Sequence, residues 1–414
     1  MEVDSIPQQA QEKAAQIESA DLVVAILADL DSHGIAAVCN ELQPLSGSAR
    51  LAVLQNEKSG TPATADSENT QKNAFPFLFS WPLLRPDPAG APVMSMFSAY
   101  QSVLVASEKL GARVCCIVAS KLENAPEWIS QMAKPMLEKE IDLILPRYAR
   151  HKFEGLMNSS IISPIARCLY GKRIHNPMGP DLAVSQRLFR KVLGSERNSR
   201  MNGAHALASL ASGAVCSNFQ IYELNLGARI YRPTDWTNLS SVMAQVLSPV
   251  FLDMERNAVF WQRMRGSAPL PTMGNPMPVS QDTSSLDISH MIELFELGNR
   301  DLQEIWRLVL PPGTLFELHK LSRLPAEQFL MPDDLWARIV YDFALAHRLQ
   351  TISRDHLLKS MTPLYLAWVA SYANDLEKSK GNGIEQRLER VSVAFESAKS
   401  YLVSRWRWPD RFNP

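Results

Sequence analysis

No stretch of the 414 residues stays apolar for the ~20 positions that a membrane-crossing helix needs, so no membrane span is expected. The opening residues, MEVDSIPQQAQEKAAQIESA, are polar and partly acidic. They lack the basic start and apolar core of a signal peptide, and none is expected. Cysteine is scarce. The five residues Cys39, Cys115, Cys116, Cys168 and Cys216 form no CxxC pair and no Cys/His metal spacing. An odd number in a chain of this length points to free buried thiols in a reducing compartment, and a cytoplasmic protein is expected. Charge of one sign is also missing. With 42 Lys and Arg against 43 Asp and Glu, the net charge is -1, so no basic field draws nucleic acid. No internal repeat or heptad is present. The remaining composition, 46% hydrophobic and 21% charged, is that of a globular chain long enough for two or three domains.

Against these absences stands a regular alternation of buried strands and helices. Leu22 to Leu27 is apolar at every position, as a strand covered on both faces reads. Ile35 to Leu42 has helical spacing, and Leu51 to Leu54 reads as a second strand. Glu57 to Asn73 is polar and reads as a loop. A helical pattern over Met96 to Leu110 precedes a strand at Val114 to Val118. Pro126 suits the first turn of a helix reaching about Lys139, and Ile141 to Leu145 is a further strand that Pro146 should stop. Such alternation predicts a parallel sheet with helices on both faces. Its ligands would lie beyond the carboxyl ends of the strands. Those ends are Leu27-Ala28-Asp29, Gln55-Asn56-Glu57, Ala119-Ser120-Lys121 and Pro146-Arg147-Tyr148. Gly266 to Ser285 holds four prolines and reads as a linker. Beyond it Leu335, Ile339, Phe343 and Ala346 share a helix face, Ser353 suits an N-cap, and Ile384 to Arg405 reads as one long helix.

The segment from Asp142 to Leu188 carries a family pattern. A strand is followed by Pro146, Tyr148, Arg150, His151, Gly155, Asn158, Ser159, Pro164, Arg167, Leu169, Tyr170, Gly171, Arg173, Pro177, Gly179 and Asp181. Their spacing resembles PxYxRHxxDGxxxNSIxxPLxRxLYGxRxxQPxGGDFG. That is the pattern of the retaining GT-A, family 2-like glycosyltransferases related to glucosylglycerate and mannosylglycerate synthases. Leu226 to Pro233, LGARIYRP, is similar to the family's LGxKxHDP, and WARIVYDFALAH and FESAKSYLVSRW resemble its helical tail. The resemblance spans about Asp21 to Trp406. It implies an α/β fold: a GT-A (nucleotide-diphospho-sugar transferase, Rossmann-like) domain with a C-terminal helical domain. The expected bounds are a polar extension at 1–20, the GT-A domain at 21–265, a Pro-rich linker at 266–285 and helices at 286–414.

The chain departs from that family where the family binds metal. The family ends a strand with a DxD motif ahead of a PEWI-like helix start, and its carboxylates hold a divalent cation against the nucleotide diphosphate. Here Ala119-Ser120-Lys121 precedes Pro126-Glu127-Trp128-Ile129, and Tyr231 takes the place of the family's third ligand, a histidine. The lysine of a Gly-Lys-Gly turn is missing near Gly90 to Val93, and Glu57-Lys58-Ser59-Gly60 replaces a Gly- and Asp-rich turn. No metal site and no cofactor is therefore expected. Lys121 either neutralises diphosphate charge or is a solvated lysine. Asp181 either orients sugar or acceptor, as a catalytic residue, or holds a turn. Arg147, Tyr148, Arg150 and His151 either bind an acceptor's anionic group or make ion pairs and contacts within the loop. Arg173, with Arg167 and Tyr170, either touches substrate or closes the sheet edge. His205 is a candidate general base or a packed histidine. The resemblance implies transfer of a hexosyl unit from a nucleotide sugar to a small acidic acceptor, with retention. The alternative is an inactive homologue acting as a binding, scaffold or sensor subunit. A homo-oligomer or an active paralogue would be its partner.

Overall fold

In the computed structural model, the described residues are 17, 19–28, 30–56, 74–81, 92–119, 126–149, 151–197, 205–228, 234, 236–275, 285–378 and 383–409. In chain order the first elements are β1 (Leu22–Ile26), α1 (Ser32–Leu42), β2 (Leu51–Asn56), β3 (Leu78–Trp81), α2 (Pro92–Lys109), β4 (Val114–Val118), α3 (Glu127–Glu138) and β5 (Leu143–Ala149). Then come a π-helical turn at Asn158–Ile162, α4 (Ser163–Tyr170), β6 (Lys172–Arg173), β7 (Leu182–Ser185), α5 (Gln186–Arg197), α6 (His205–Cys216) and β8 (Ile221–Ala228). The remainder is α7 (Leu239–Arg256), α8 (Ala258–Trp261), β9 (Ala268–Pro269), β10 (Thr272–Met273), α9 (Ile288–Asp301), α10 (Gln303–Val309), α11 (Pro312–Leu321), α12 (Asp333–Leu349), α13 (Arg354–Ser360), α14 (Thr362–Lys378), α15 (Ile384–Ser397) and α16 (Lys399–Arg407). The chain divides into two units, the first holding 1–149, 176–230 and 270–278, the second 150–175, 231–269 and 279–414.

The first unit is built on a sheet in the order β10-β8-β5-β7-β4-β1-β2-β3. β1 lies between β2 and β4, with Val24 opposite Val53 on one side and Cys116 on the other. All five residues of β1 and of β4 are buried, because both sheet faces are covered. Leu22, Val24 and Ile26 pack with Val38 of α1 and Ile129 of α3 in one core, and α2 packs on β4 and on α5 and α6. The fold is thus α/β, with a helical C-terminal region. The expected all-parallel sheet is corrected in one strand. β7 runs antiparallel between β4 and β5, pairing Ile117 with Leu182 and Ile144 with Ala183.

Two carboxylates pin the ends of β7. At one end Asp142, 1% exposed, accepts from Ser185 Oγ (2.7 Å), Arg187 Nη2 (2.7 Å) and the Gln220 N–H (3.0 Å). Burial alone would raise its pKa. The Arg187, Ser185 and Gln220 hydrogen bonds outweigh that and hold it below the ordinary 3.8. A folded pKa below the unfolded value means the stabilisation is present above about pH 4 and is lost as pH falls through the folded value. Arg187 is 60% exposed, so the group's contribution is screened. Asp142→Asn should therefore cost only about 1–2 kcal/mol at pH 7. Below about pH 4 the variant's stability should fall less steeply than that of the wild type, as urea titrations across pH would read.

Several sequence expectations shift. Pro146 does not stop β5. It sits inside the strand opposite Leu224, and its carbonyl accepts from Asn176 Nδ2 at 3.1 Å. Within the span expected to be a linker, β10 adds to the sheet beside β8, and β9 pairs with β6. The final long helix is two, α15 and α16, meeting at Ala398. Ser353 is the N-cap of α13, but its side chain makes no capping bond.

The second unit takes in segments that the sequence placed in the first domain. α4 packs against α15, and α7 against α12 and α13. The contacts are specific. Arg167, 6% exposed, pairs with Glu389 (2.6 Å) and Glu396 (2.9 Å) of α15. Trp336 Nε1 donates to the Ser160 carbonyl at 3.0 Å, and Tyr372 Oη to that of Lys152 at 2.8 Å. Tyr170 Oη donates to Asp253 Oδ2 at 2.6 Å. Gly171 caps α4 at φ 68°, where a side chain would meet Met264 Sδ at 2.7 Å, so the Tyr-Gly of the family pattern serves packing here. Arg167 and Tyr170 thus bind helices together within this unit and do not close the sheet edge.

Candidate functional site

The order of strands places a crevice in the first unit. From β1 the sheet continues to β2 and β3 on one side and to β4 on the other, so the connections diverge at the carboxyl ends of β1 and β4. Ligands of open α/β sheets bind at such a divergence. There the Leu27 N–H donates to the Val118 carbonyl at 2.8 Å, which holds the two strand ends together.

Asp181 enters this edge because β7 is antiparallel. Its amino end lies where the other strands have their carboxyl ends, so the residue before Leu182 stands beside Ala119. Asp181 is 2% exposed. Oδ1 accepts from the Ala119 N–H at 2.8 Å, and Oδ2 accepts from Tyr148 Oη. The turn before it is set by the Gly179 N–H donating to the Asn176 carbonyl (3.1 Å) and by Tyr100 Oη donating to the Pro180 carbonyl. Tyr100 is fully buried, and burial, with the Asp181 charge adding to it, pushes its phenol well above the ordinary range. It stays a neutral donor.

Tyr148 is held from its other side by Trp128, ring centroids 5.0 Å apart. Trp128 belongs to the Pro126-Glu127-Trp128-Ile129 helix start and is 5% exposed. The result is a connected series, Trp128, Tyr148, Asp181, Ala119, tying α3, β5, β7 and β4 at the carboxyl edge of β4. Arg147, next to Tyr148, has Nη1 3.7 Å from Glu223 Oε2 on β8, and the Glu223 side chain is 2% exposed. Part of its charge is therefore answered inside the protein, while the Arg147 side chain stays 24% exposed.

The expected residues divide as follows. Asp181 and Tyr148 touch, and Arg147 is adjacent in the same strand. Lys121 and Arg150 lie outside the described residues, as do Asp29, Ser120, Tyr231 and the turns at 57–60 and 90–91. His205 opens α6, and its side chain is likewise outside the described set. His151 and Arg173 belong to the second unit. The His151 carbonyl accepts from the Glu154 N–H at 3.1 Å, and Arg173 Nε donates to Ser267 Oγ at 3.2 Å. Sequence reasoning missed Glu223, Tyr100 and Asn176. Glu223 had a signal, since a lone carboxylate among Ile221, Leu224 and Leu226 must be paired if the strand is buried. Among the described residues no group of three or more His, Cys, Asp and Glu could hold a metal ion, and no helix is long and apolar enough to cross a membrane.

No protein-family model matches the chain, and no curated protein matches it. Solved structures do. One is glucosyl-3-phosphoglycerate synthase from Mycobacterium tuberculosis with Mn2+, UDP-glucose and phosphoglyceric acid. It is 17% identical over 59% of this chain and 82% of its own, with a TM-score of 0.39. The same synthase with Mg2+ and UDP is 18% identical over the same shares, with a TM-score of 0.40. Mannosyl-3-phosphoglycerate synthase from Rubrobacter xylanophilus is 12% identical over 64% of this chain and 82% of its own, with a TM-score of 0.38. At such identities and scores the likeness assigns neither activity nor substrate.

Proposed function

We propose that the chain is a GT-A glycosyltransferase-type protein that binds a nucleotide sugar beyond the carboxyl ends of β1 and β4. The other ligand is a small acidic acceptor. The observation that carries this reading is the Trp128–Tyr148–Asp181–Ala119 series. Trp128 lies in the helix start and Tyr148 and Asp181 in the strand and turn of the family-like pattern. Asp181 touches the end of β4, where an α/β sheet receives its ligand, and Tyr148 and Trp128 follow it in contact one after the other. In this reading Asp181 acts by position. Both its oxygens are engaged by the protein, so it fixes the Tyr148 hydroxyl and the end of β4. Arg147 is assigned to the acceptor's anionic group and Lys121 to the diphosphate.

The residues at the end of β4, Ala119-Ser120-Lys121, do not suit a divalent cation, which takes oxygen ligands. No step is routed through a metal. In this reading Lys121, two residues beyond Ala119 in the sequence, supplies the positive charge for the diphosphate as an ammonium. The same feature favours a second reading, a homologue that binds the sugar nucleotide without transferring it.

Calorimetry of the full chain with UDP-glucose and GDP-mannose, with Mn2+ or with EDTA, tests the proposal. One of the two should bind with Kd below about 1 mM, and Mn2+ should change that Kd by less than about three-fold. Failure of both to bind overturns the reading, and micromolar Mn2+ binding that depends on UDP or GDP overturns its metal-free part. Turnover with an acidic acceptor such as phosphoglyceric acid separates enzyme from inactive homologue.

A further inference from the structure

The second unit holds a cavity of about 520 Å³ between the loop after α8 and the helices α15 and α16. That volume suits a small molecule. Its charge is unbalanced. Arg265, Lys399 and Arg407 line it against one carboxylate, Glu396. Glu396 is already engaged, accepting from Arg167 Nη2 at 2.9 Å and Ser267 Oγ at 2.6 Å. The cations are differently placed. Lys399 Nζ donates to the carbonyls of Cys168 (2.6 Å) and Met264 (3.0 Å), which fixes its ammonium and leaves one of three N–H groups. Arg407 Nε donates to Gln262 Oε1 at 2.6 Å, which orients the guanidinium. Arg265 has no hydrogen bond or ion pair among the described residues. The indole of Trp408, 59% exposed, stands on the same wall.

We propose that this cavity binds a phosphate ester carried on a ring, with Arg265, Arg407 and Lys399 holding the phosphate and Trp408 covering the ring face. Guanidinium groups give paired hydrogen bonds to phosphate oxygens, and an ammonium adds a point charge. Burial, with the Arg265 charge adding to it, lowers the Lys399 pKa. An anion between the two cations removes that repulsion. A flat aromatic face stacks on a nucleobase or on the apolar face of a sugar. All the lining residues belong to the second unit, and the inference does not rest on the proposed function of the first.

Calorimetry on the full chain, saturated with whichever nucleotide sugar it binds, compares AMP, glucose 6-phosphate, inorganic phosphate and adenosine. At least one of AMP and glucose 6-phosphate should bind, more tightly than phosphate, and adenosine should bind least. Arg265→Ala and Arg407→Ala should each weaken binding about ten-fold or more, and Trp408→Ala should weaken the ring ester but not phosphate. Arg265 is exposed and has no hydrogen bond or ion pair among the described residues, so its variant tests the site with little folding penalty. The proposal fails if neither ester binds, or if binding is unchanged in Arg265→Ala. Its ring part fails if phosphate binds as tightly as the esters and Trp408→Ala changes nothing. Loss of nucleotide-sugar binding in the wild type would bear on the first unit alone.

Discussion

Asp181→Ala should lower the stability of the first unit by about 2–4 kcal/mol and weaken nucleotide-sugar binding ten-fold or more. The carboxylate is buried, and its removal takes away the acceptor of the Ala119 N–H and one hydrogen-bond partner of the Tyr148 hydroxyl. A buried donor left unpaired costs about 1–3 kcal/mol. The end of β4 and the ring of Tyr148 then lose their fixed positions together. Asp181→Asn separates position from charge. Its amide oxygen can accept from Ala119 and its NH2 can donate to Tyr148 Oη, so stability should stay within about 1 kcal/mol of wild type. If Asp181 acts by position, binding in the Asn variant should stay within about three-fold of wild type, while a larger loss at unchanged stability would show that the charge itself meets the ligand. Urea unfolding and amide exchange at Ala119 read the first effect, calorimetry the second. An Ala variant that unfolds at the wild-type urea midpoint would sink the account.

The largest stability effect is expected in the second unit. Asp342 of α12, 1% exposed, faces Arg405 of α16, with Nε to Oδ1 at 2.7 Å, and accepts from Tyr401 Oη at 2.9 and 2.8 Å. Burial pushes the Asp342 carboxyl up to about 7, against the pull of Arg405 and Tyr401. Asp342→Ala leaves Arg405, 6% exposed, as a buried charge without this partner. Breaking one side of a buried pair costs about 3–5 kcal/mol, which for a unit of this size lowers its thermal midpoint by roughly 10 °C. Asp342→Asn keeps an acceptor for both neighbours and should cost less than half as much. A midpoint for Asp342→Ala within about 2 °C of wild type would show that Arg405 is otherwise satisfied.

Much of the α/β unit was legible because its strands are buried on both faces. Leu22–Ile26 and Val114–Val118 are apolar at every residue, and such short, β-branched runs suit strands covered on both faces. β7 was not legible as an inserted antiparallel strand. Its four residues, Leu-Ala-Val-Ser, carry no sign of direction, since strand polarity is set by the neighbours a segment meets. The prolines of 266–285 read as a linker, yet Thr272 and Met273 join the sheet beside β8. A two-residue edge strand needs so few hydrogen bonds that nearby prolines do not prevent it. Arg167 read as an edge residue because its partners, Glu389 and Glu396, lie more than two hundred positions away.

The sequence by itself determined the alternation of strands and helices and the helical C-terminal region. Each follows from local spacing or burial pattern, which a chain carries in its own order. Only the tertiary structure decided that β7 runs backwards, that Asp181 therefore reaches the Ala119 strand end and Tyr148, and that Arg147 meets Glu223. Those contacts join residues 33 to 76 positions apart, and only the packing of the sheet brings such partners within hydrogen-bonding or ion-pairing distance.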